Sequence, residues 1–154
     1  MSTMLKPLPA SPPEPQARAD DRCVIAPSME AVAAHLRDAA RLQPGWSVLD
    51  LGVAEASTPE LPFAAEAFDA VVWAFGVSRT PDPARTAREL LRVTRPGGTI
   101  ALAAPTTSIW GSEPGLRLLL GRGLDYLDLR DCGFRFDGRA GAYLQAVGLR
   151  RGSR

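Results

Sequence analysis

The stretch that decides the fold lies between Trp46 and Pro105: Val48-Leu49-Asp50-Leu51-Gly52, then Phe68-Asp69-Ala70-Val71-Val72-Trp73-Ala74-Phe75, then Arg95-Pro96-Gly97-Gly98-Thr99-Ile100-Ala101-Leu102. The apolar runs are short and bounded by turn residues, the pattern of strands covered on both faces. Between the last two, Asp82-Pro83 supplies a cap and a first helical residue, and Ala84, Ala87 and Leu91 form the buried face of a helix ending near Val93. Pro96-Gly97-Gly98 stops that helix, and Thr99 to Ala103 is the next strand. Strand, helix and strand in this order make a right-handed parallel crossover, so the chain is α/β.

Upstream, Ser28 can cap a helix whose apolar residues Met29, Val32, Ala33, Leu36 and Ala40 recur at three- and four-residue spacing until Pro44-Gly45 ends it. His35 lies on the flank of this stripe; without a second histidine or a carboxylate cluster it reads as a surface or boundary residue. Downstream, Leu116 to Leu120 and Leu124 to Arg130 read as short helices broken by Gly121 and Gly123, with Gly133 as a helix stop. Phe134-Arg135-Phe136 and Tyr143 to Val147 then read as a closing hairpin through Asp137-Gly138 and Gly141. Residues 1–22 carry Pro7, Pro9, Pro12, Pro13 and Pro15 with few large apolar side chains, too little to offset ordering entropy, and are expected to be a disordered tail. One domain over residues 23–150 and a basic, frayed end at 151–154 complete the organisation.

Lysine and arginine total 18 against 17 aspartate and glutamate, which leaves no global field for nucleic acid or an anionic membrane. Arg85, Arg88, Arg92 and Arg95 share one side of their helix and read as a solvated face, so no nucleic-acid partner is expected. The only cysteines, Cys23 and Cys132, are far apart and the chain has one histidine, which suggests neither a disulfide framework nor a metal site. With no basic start leading into an apolar run and no eighteen-residue apolar stretch, a soluble protein of the reducing cytoplasm is expected.

Taken together, Leu61-Pro62-Phe63, Phe68 to Val72, Pro81-Asp82-Pro83, Glu89-Leu90-Leu91-Arg92-Val93 and Arg95 to Gly98 resemble the class I S-adenosylmethionine (SAM) dependent methyltransferases of the type 11 group, which includes ubiquinone and menaquinone methylating enzymes. The resemblance covers about residues 28–150. It implies a reduced Rossmann-like sheet of about five strands, mostly parallel with an antiparallel C-terminal strand, and helices on both faces. It also implies methyl transfer from SAM to a small molecule. The alternative is a non-catalytic interaction or regulatory module that has lost SAM binding.

Members of that group hold SAM on a Gly-x-Gly-x-Gly turn after the first strand, with an acidic residue after the second strand on the ribose. Asp50 and Gly52 match the start of the turn, but Val53-Ala54-Glu55-Ala56 follow, without the second and third glycines. Only Val53 to Glu60 separate the first strand from Leu61-Pro62-Phe63, too few for the two crossovers that the family's second and third strands require. By resemblance the cofactor candidates are Asp50, Gly52, Leu61 and, as a substitute ribose carboxylate, Glu55. The substrate candidates are Ser78 and Arg79, standing where relatives often carry a histidine pair, and Tyr126, which with Trp73 and Trp110 could line an aromatic pocket. No general base is evident and no catalytic residue is assigned; the sulfonium is already a good electrophile, so positioning can suffice. If the remaining strands keep their order, Val48 to Leu51 becomes an edge, to be covered by a second copy, another protein or the tail before Ser28.

Overall fold

Two oxygen-bearing side chains start the first two helices. In the computed structural model, which describes residues 26–55, 58–136 and 138–152, the Ser28 side chain accepts from the Ala31 N–H at 3.0 Å and opens α1 (Met29–Ala40). Asp82 accepts from the Arg85 N–H and opens α2 (Pro83–Val93), with Pro83 in the first turn where its missing N–H is harmless. A shorter helix, α3 (Glu113–Leu120), starts at Ser112 in the same way. The first helix ends earlier than Pro44-Gly45, because Arg41 turns left-handed at φ 53° and sends its N–H back to the Asp38 carbonyl.

The strands are β1 (Val48–Gly52), β2 (Phe68–Ala74), β3 (Thr94–Pro105), β4 (Leu124–Phe136) and β5 (Arg139–Arg150). They form one sheet in the order β1-β2-β3-β5-β4, parallel from β1 to β3 and antiparallel at β3–β5 and β5–β4. The fold is the reduced α/β sheet expected from the sequence. Register rows cross it completely, among them Val48, Ala70, Thr99, Leu149 and Tyr126.

Alternation along each strand divides the interior into two layers. Val71, Trp73, Ile100, Leu102 and Leu144 pack under α2 and α3, through Ala87, Leu90, Leu116 and Leu120. Val72, Ala74, Ala101, Ala103 and Tyr143 pack under α1, through Val32, Ala33 and Leu36. The connection from β1 to β2, residues 53–67, crosses on the α2 face and is pinned there. Glu89 accepts from the Leu61 N–H at 2.9 Å, and Arg92 donates to the Leu61 and Phe63 carbonyls at 3.0 and 2.8 Å while pairing with Glu89.

Two expectations are corrected. Leu124 to Arg130 is not a helix: it is the first half of β4, which runs unbroken through Gly133, and its leucines are held by pairing with β5 rather than by a helical face. Cys132, on β4, is disulfide-bonded, against the expectation of a chain without disulfides; Cys23 lies outside the described residues. Ala26 pairs with β4 at Phe134. That pairing also places the segment before Ser28: the Ala26 N–H donates to the Gly133 carbonyl and its carbonyl accepts from Arg135, both at 2.9 Å. The chain therefore enters along the β4 edge, at the opposite side of the sheet from β1. The expected tail, residues 1–22, lies outside the described residues.

Candidate functional site

Open α/β sheets bind ligands beyond the carboxyl ends of their strands, at the point where strand order reverses and a crevice opens. The parallel strands here advance in one direction only, β1 to β2 to β3, and the first crossover lies on the same face as α2. No reversal exists among the described parallel strands. What stands over the carboxyl ends of β1 and β2 is this chain's own backbone.

After β1 the chain turns at Gly52, whose φ of +55° is a conformation that favours glycine, and the Ala54 N–H closes the turn on the Leu51 carbonyl at 2.9 Å. Beyond it the Ala54 carbonyl accepts from the Trp73 indole N–H at 2.7 Å. Trp73 is 1% exposed, so this bond seats the loop directly on the end of β2. Gly76, just after β2, approaches so closely that a Cβ there would lie 1.8 Å from the Ala54 oxygen. Phe75 between them has φ 57° and ψ −43°, a strained pair for a side-chain-bearing residue. It is held by its N–H bond to Ala103 and by edge-on packing against Phe134 and Tyr143.

The candidate residues divide accordingly. Asp50, Gly52, Glu55, Ser78 and Arg79 gather at the carboxyl ends of β1 and β2, and all are engaged with each other or with neighbouring backbone. One Asp50 oxygen accepts from the Gly52 N–H at 2.9 Å and the other faces Arg37 at 3.3 Å. Ser78 donates to the Phe75 carbonyl at 2.6 Å and thus stabilises the short turn Gly76–Arg79. The cofactor candidate Glu55 and the substrate candidate Arg79 are paired to one another at 2.7 Å across the junction of the two loops, both well exposed. Leu61 is buried at 8% on the α2 face, in the crossover.

Tyr126 is not brought to this site. It is level with Val48, at the amino end of the parallel strands, where burial and then Asp128 push its hydroxyl above the usual tyrosine range. Trp73 and Trp110 are buried in one core layer, of which Tyr126 is not a member. Sequence reasoning missed Glu89 and Arg92. The Arg92 hydrogen bond holds the Glu89 carboxyl below its ordinary range, against the opposing effect of burial. Three of the four arginines expected to form a solvated face are ion-paired: Arg85 with Glu60, Arg92 with Glu89 and Arg95 with Asp69.

The class I group uses SAM. The residues present depart from the family's cradle: the Ala54 carbonyl is bonded to Trp73 and lies against Gly76, and a turn with one positive-φ glycine stands where the family has a glycine-rich turn.

Comparisons with known proteins agree with the fold and with the shortening. An uncharacterized protein of Mycobacterium tuberculosis is 35% identical over 101 residues, taking in 49% of this chain and 37% of its own. Since 101 residues of the match correspond to only half of this chain, the relative carries residues within it that have no counterpart here. Demethylmenaquinone methyltransferase of Paenarthrobacter aurescens is 34% identical over 64 residues, 40% of this chain and 25% of that enzyme. The matches thus span between about a fifth and little more than a third of the length of the curated relatives. Among solved structures, a SAM-dependent methyltransferase of Thermotoga maritima superposes with a TM-score of 0.55 at 13% identity, covering 78% of this chain and 89% of its own. A [4+2]-cyclase, SpnF, gives 0.60 at 15% identity, with 80% and 81% covered. Likenesses at such identities show the fold alone, and one of the two catalyses a cyclisation. A family profile described as a methyltransferase domain matches residues 22–102, more than half of the chain. By that match and by its sheet, the chain belongs to the class I methyltransferases of the type 11 group.

Proposed function

We propose that this chain is a non-catalytic member of its family, a methyltransferase-fold module that works by binding a protein partner and does not transfer a methyl group from SAM. The observation that carries the reading is the Ala54 carbonyl seated between the Trp73 indole and Gly76. A nucleoside entering over the ends of β1 and β2 meets that bond first, and the family's flank that would receive the adenosyl group has no strand among the described residues. Fold resemblance alone is a weak warrant for chemistry.

The competing reading is SAM-dependent methylation of a small molecule in the cytoplasm. The exposed Glu55–Arg79 pair favours it to one extent: at more than 60% exposure on both side chains it contributes at most about 1 kcal/mol and does not by itself lock the loop. Calorimetric titration of the full chain with SAM and S-adenosylhomocysteine separates the two. The expected result is no saturable heat and no thermal shift at millimolar ligand. Saturation at micromolar concentration would restore the enzyme reading, with Asp50, Gly52 and Glu55 as the residues to test first.

A further inference from the structure

The two edges of the sheet are treated differently. β4 carries Asp125, Asp128, Arg130, Asp131 and Arg135 and is covered at Gly133–Arg135 by Ala26, two devices that keep an edge from pairing with another chain. β1 has one charged residue, Asp50, and that one is paired with Arg37. The Ser47 carbonyl accepts from the Asp69 and Ala70 amides of β2, and Val48 is level with Ala70. By alternation, Leu49 and Leu51 turn their backbone groups toward β2, whereas Val48 and Asp50 turn theirs outward. Among the described residues, no backbone bond from outside the ladder reaches Val48 or Asp50.

We infer that this chain self-associates through β1, the occupant of the edge being β1 of a second copy in antiparallel orientation. The register is self-complementary. A two-fold axis beside Leu49 sets each outward-facing Val48 opposite Asp50 of the copy, which makes about four backbone hydrogen bonds in two closely spaced pairs. The two Leu49 side chains then meet on the α2 face, and Val48 meets Asp50 on the α1 face. Two carboxylates brought to one face would repel, but each already has Arg37 at 3.3 Å, with both partners exposed enough to reach across the axis. The segment before Ala26 joins the sheet at β4, four strands and roughly 19 Å from β1, and its covering the β1 edge instead is the intramolecular outcome of the test below. This inference concerns the edge and does not depend on whether the crevice accepts SAM.

The test is sedimentation equilibrium of the full chain from micromolar to millimolar concentration, with amide exchange of Val48, Leu49 and Asp50 followed over the same range. The expected mass rises toward twice 16.4 kDa. The Val48 and Asp50 amides slow at least tenfold with concentration, while Leu49, already bonded within the sheet, does not. Val48→Pro removes an outward N–H that β2 does not use and is expected to weaken association at least tenfold. Arg37→Glu, on the helix surface, leaves the facing Asp50 residues unneutralised and is expected to do the same. A single-copy mass throughout overturns the inference, whether the two amides are protected at every concentration, which would mean an intramolecular cover, or open at every concentration. A dimer that both variants leave intact overturns it as well.

Discussion

Gly76 cannot be replaced without moving backbone. A Cβ there would stand 1.8 Å from the Ala54 oxygen and 2.7 Å from the Trp73 indole nitrogen, and a carbonyl on a closed turn has no rotamer to yield with. Gly76→Ala is expected to destabilise the protein by about 1–3 kcal/mol, as overpacking does. It should also expose the loop after β1 to proteolysis faster than it affects β3, which limited digestion with mass spectrometry would show. Trp73→Phe makes the complementary change: the ring stays, the donor goes, and the Ala54 carbonyl is left without its partner at a cost of about 1–3 kcal/mol, read by denaturant unfolding. At this scale the sequence was informative about position and misleading about use. Asp50 and Gly52 close β1 and Ser78 and Arg79 follow β2, its parallel neighbour, so their meeting at one end could be foreseen from strand order. That Glu55 and Arg79 would neutralise each other could not, because it depends on how a loop of unusual length folds back. Tyr126 was misplaced for a different reason: leucine spacing in Leu124 to Arg130 fits a helix, and only pairing with Gln145 to Arg150 of β5 makes it a strand.

The element that most depends on side-chain chemistry is the crossover of residues 53–67. Among its described residues it has no helix of its own, and it is held to α2 by Glu89 and Arg92. The sequence marks those two residues only as part of a family-like run, since nothing in their spacing says that they serve a loop 28 residues earlier. The Arg92 hydrogen bond lowers the folded-state pKa of Glu89, so the carboxylate contributes stability that is complete above the ordinary glutamate range and is lost as pH falls through the lowered folded value. Glu89→Gln should therefore melt several degrees below the unsubstituted chain at pH 7. The gap should narrow steadily on acidification below the ordinary range, in thermal melts taken across that window. A gap independent of pH would mean that the side-chain shape, and not its charge, pins the crossover. Helix α1 supplies a control without such titration: Ser28→Ala should cost about 1 kcal/mol at every pH, because a hydroxyl cap is the only thing removed.

At the scale of the molecule, the place of β1 in the sheet has two consequences that belong together. Among the described strands no reversal of order opens a ligand crevice beside it, and β1 is an edge with apolar residues on both faces. The first consequence argues for closure of the site; the second argues for a partner. If a second copy supplies it, folding and association are linked, and the melting temperature depends on concentration. For a pair of chains of this length, each tenfold dilution removes about 1.4 kcal/mol from the dimer, equivalent to about 2 °C. The full chain should thus melt progressively lower from millimolar to micromolar concentration. Val48→Pro should melt at one temperature throughout, and that temperature should equal the dilute limit of the unsubstituted chain, since the change leaves the ladder to β2 intact. Differential scanning calorimetry across three decades of concentration reads both outcomes. A curve that does not move with dilution would place the stability of β1 within a single copy, where Leu49, Leu51 and the Asp50–Arg37 pair would have to supply it.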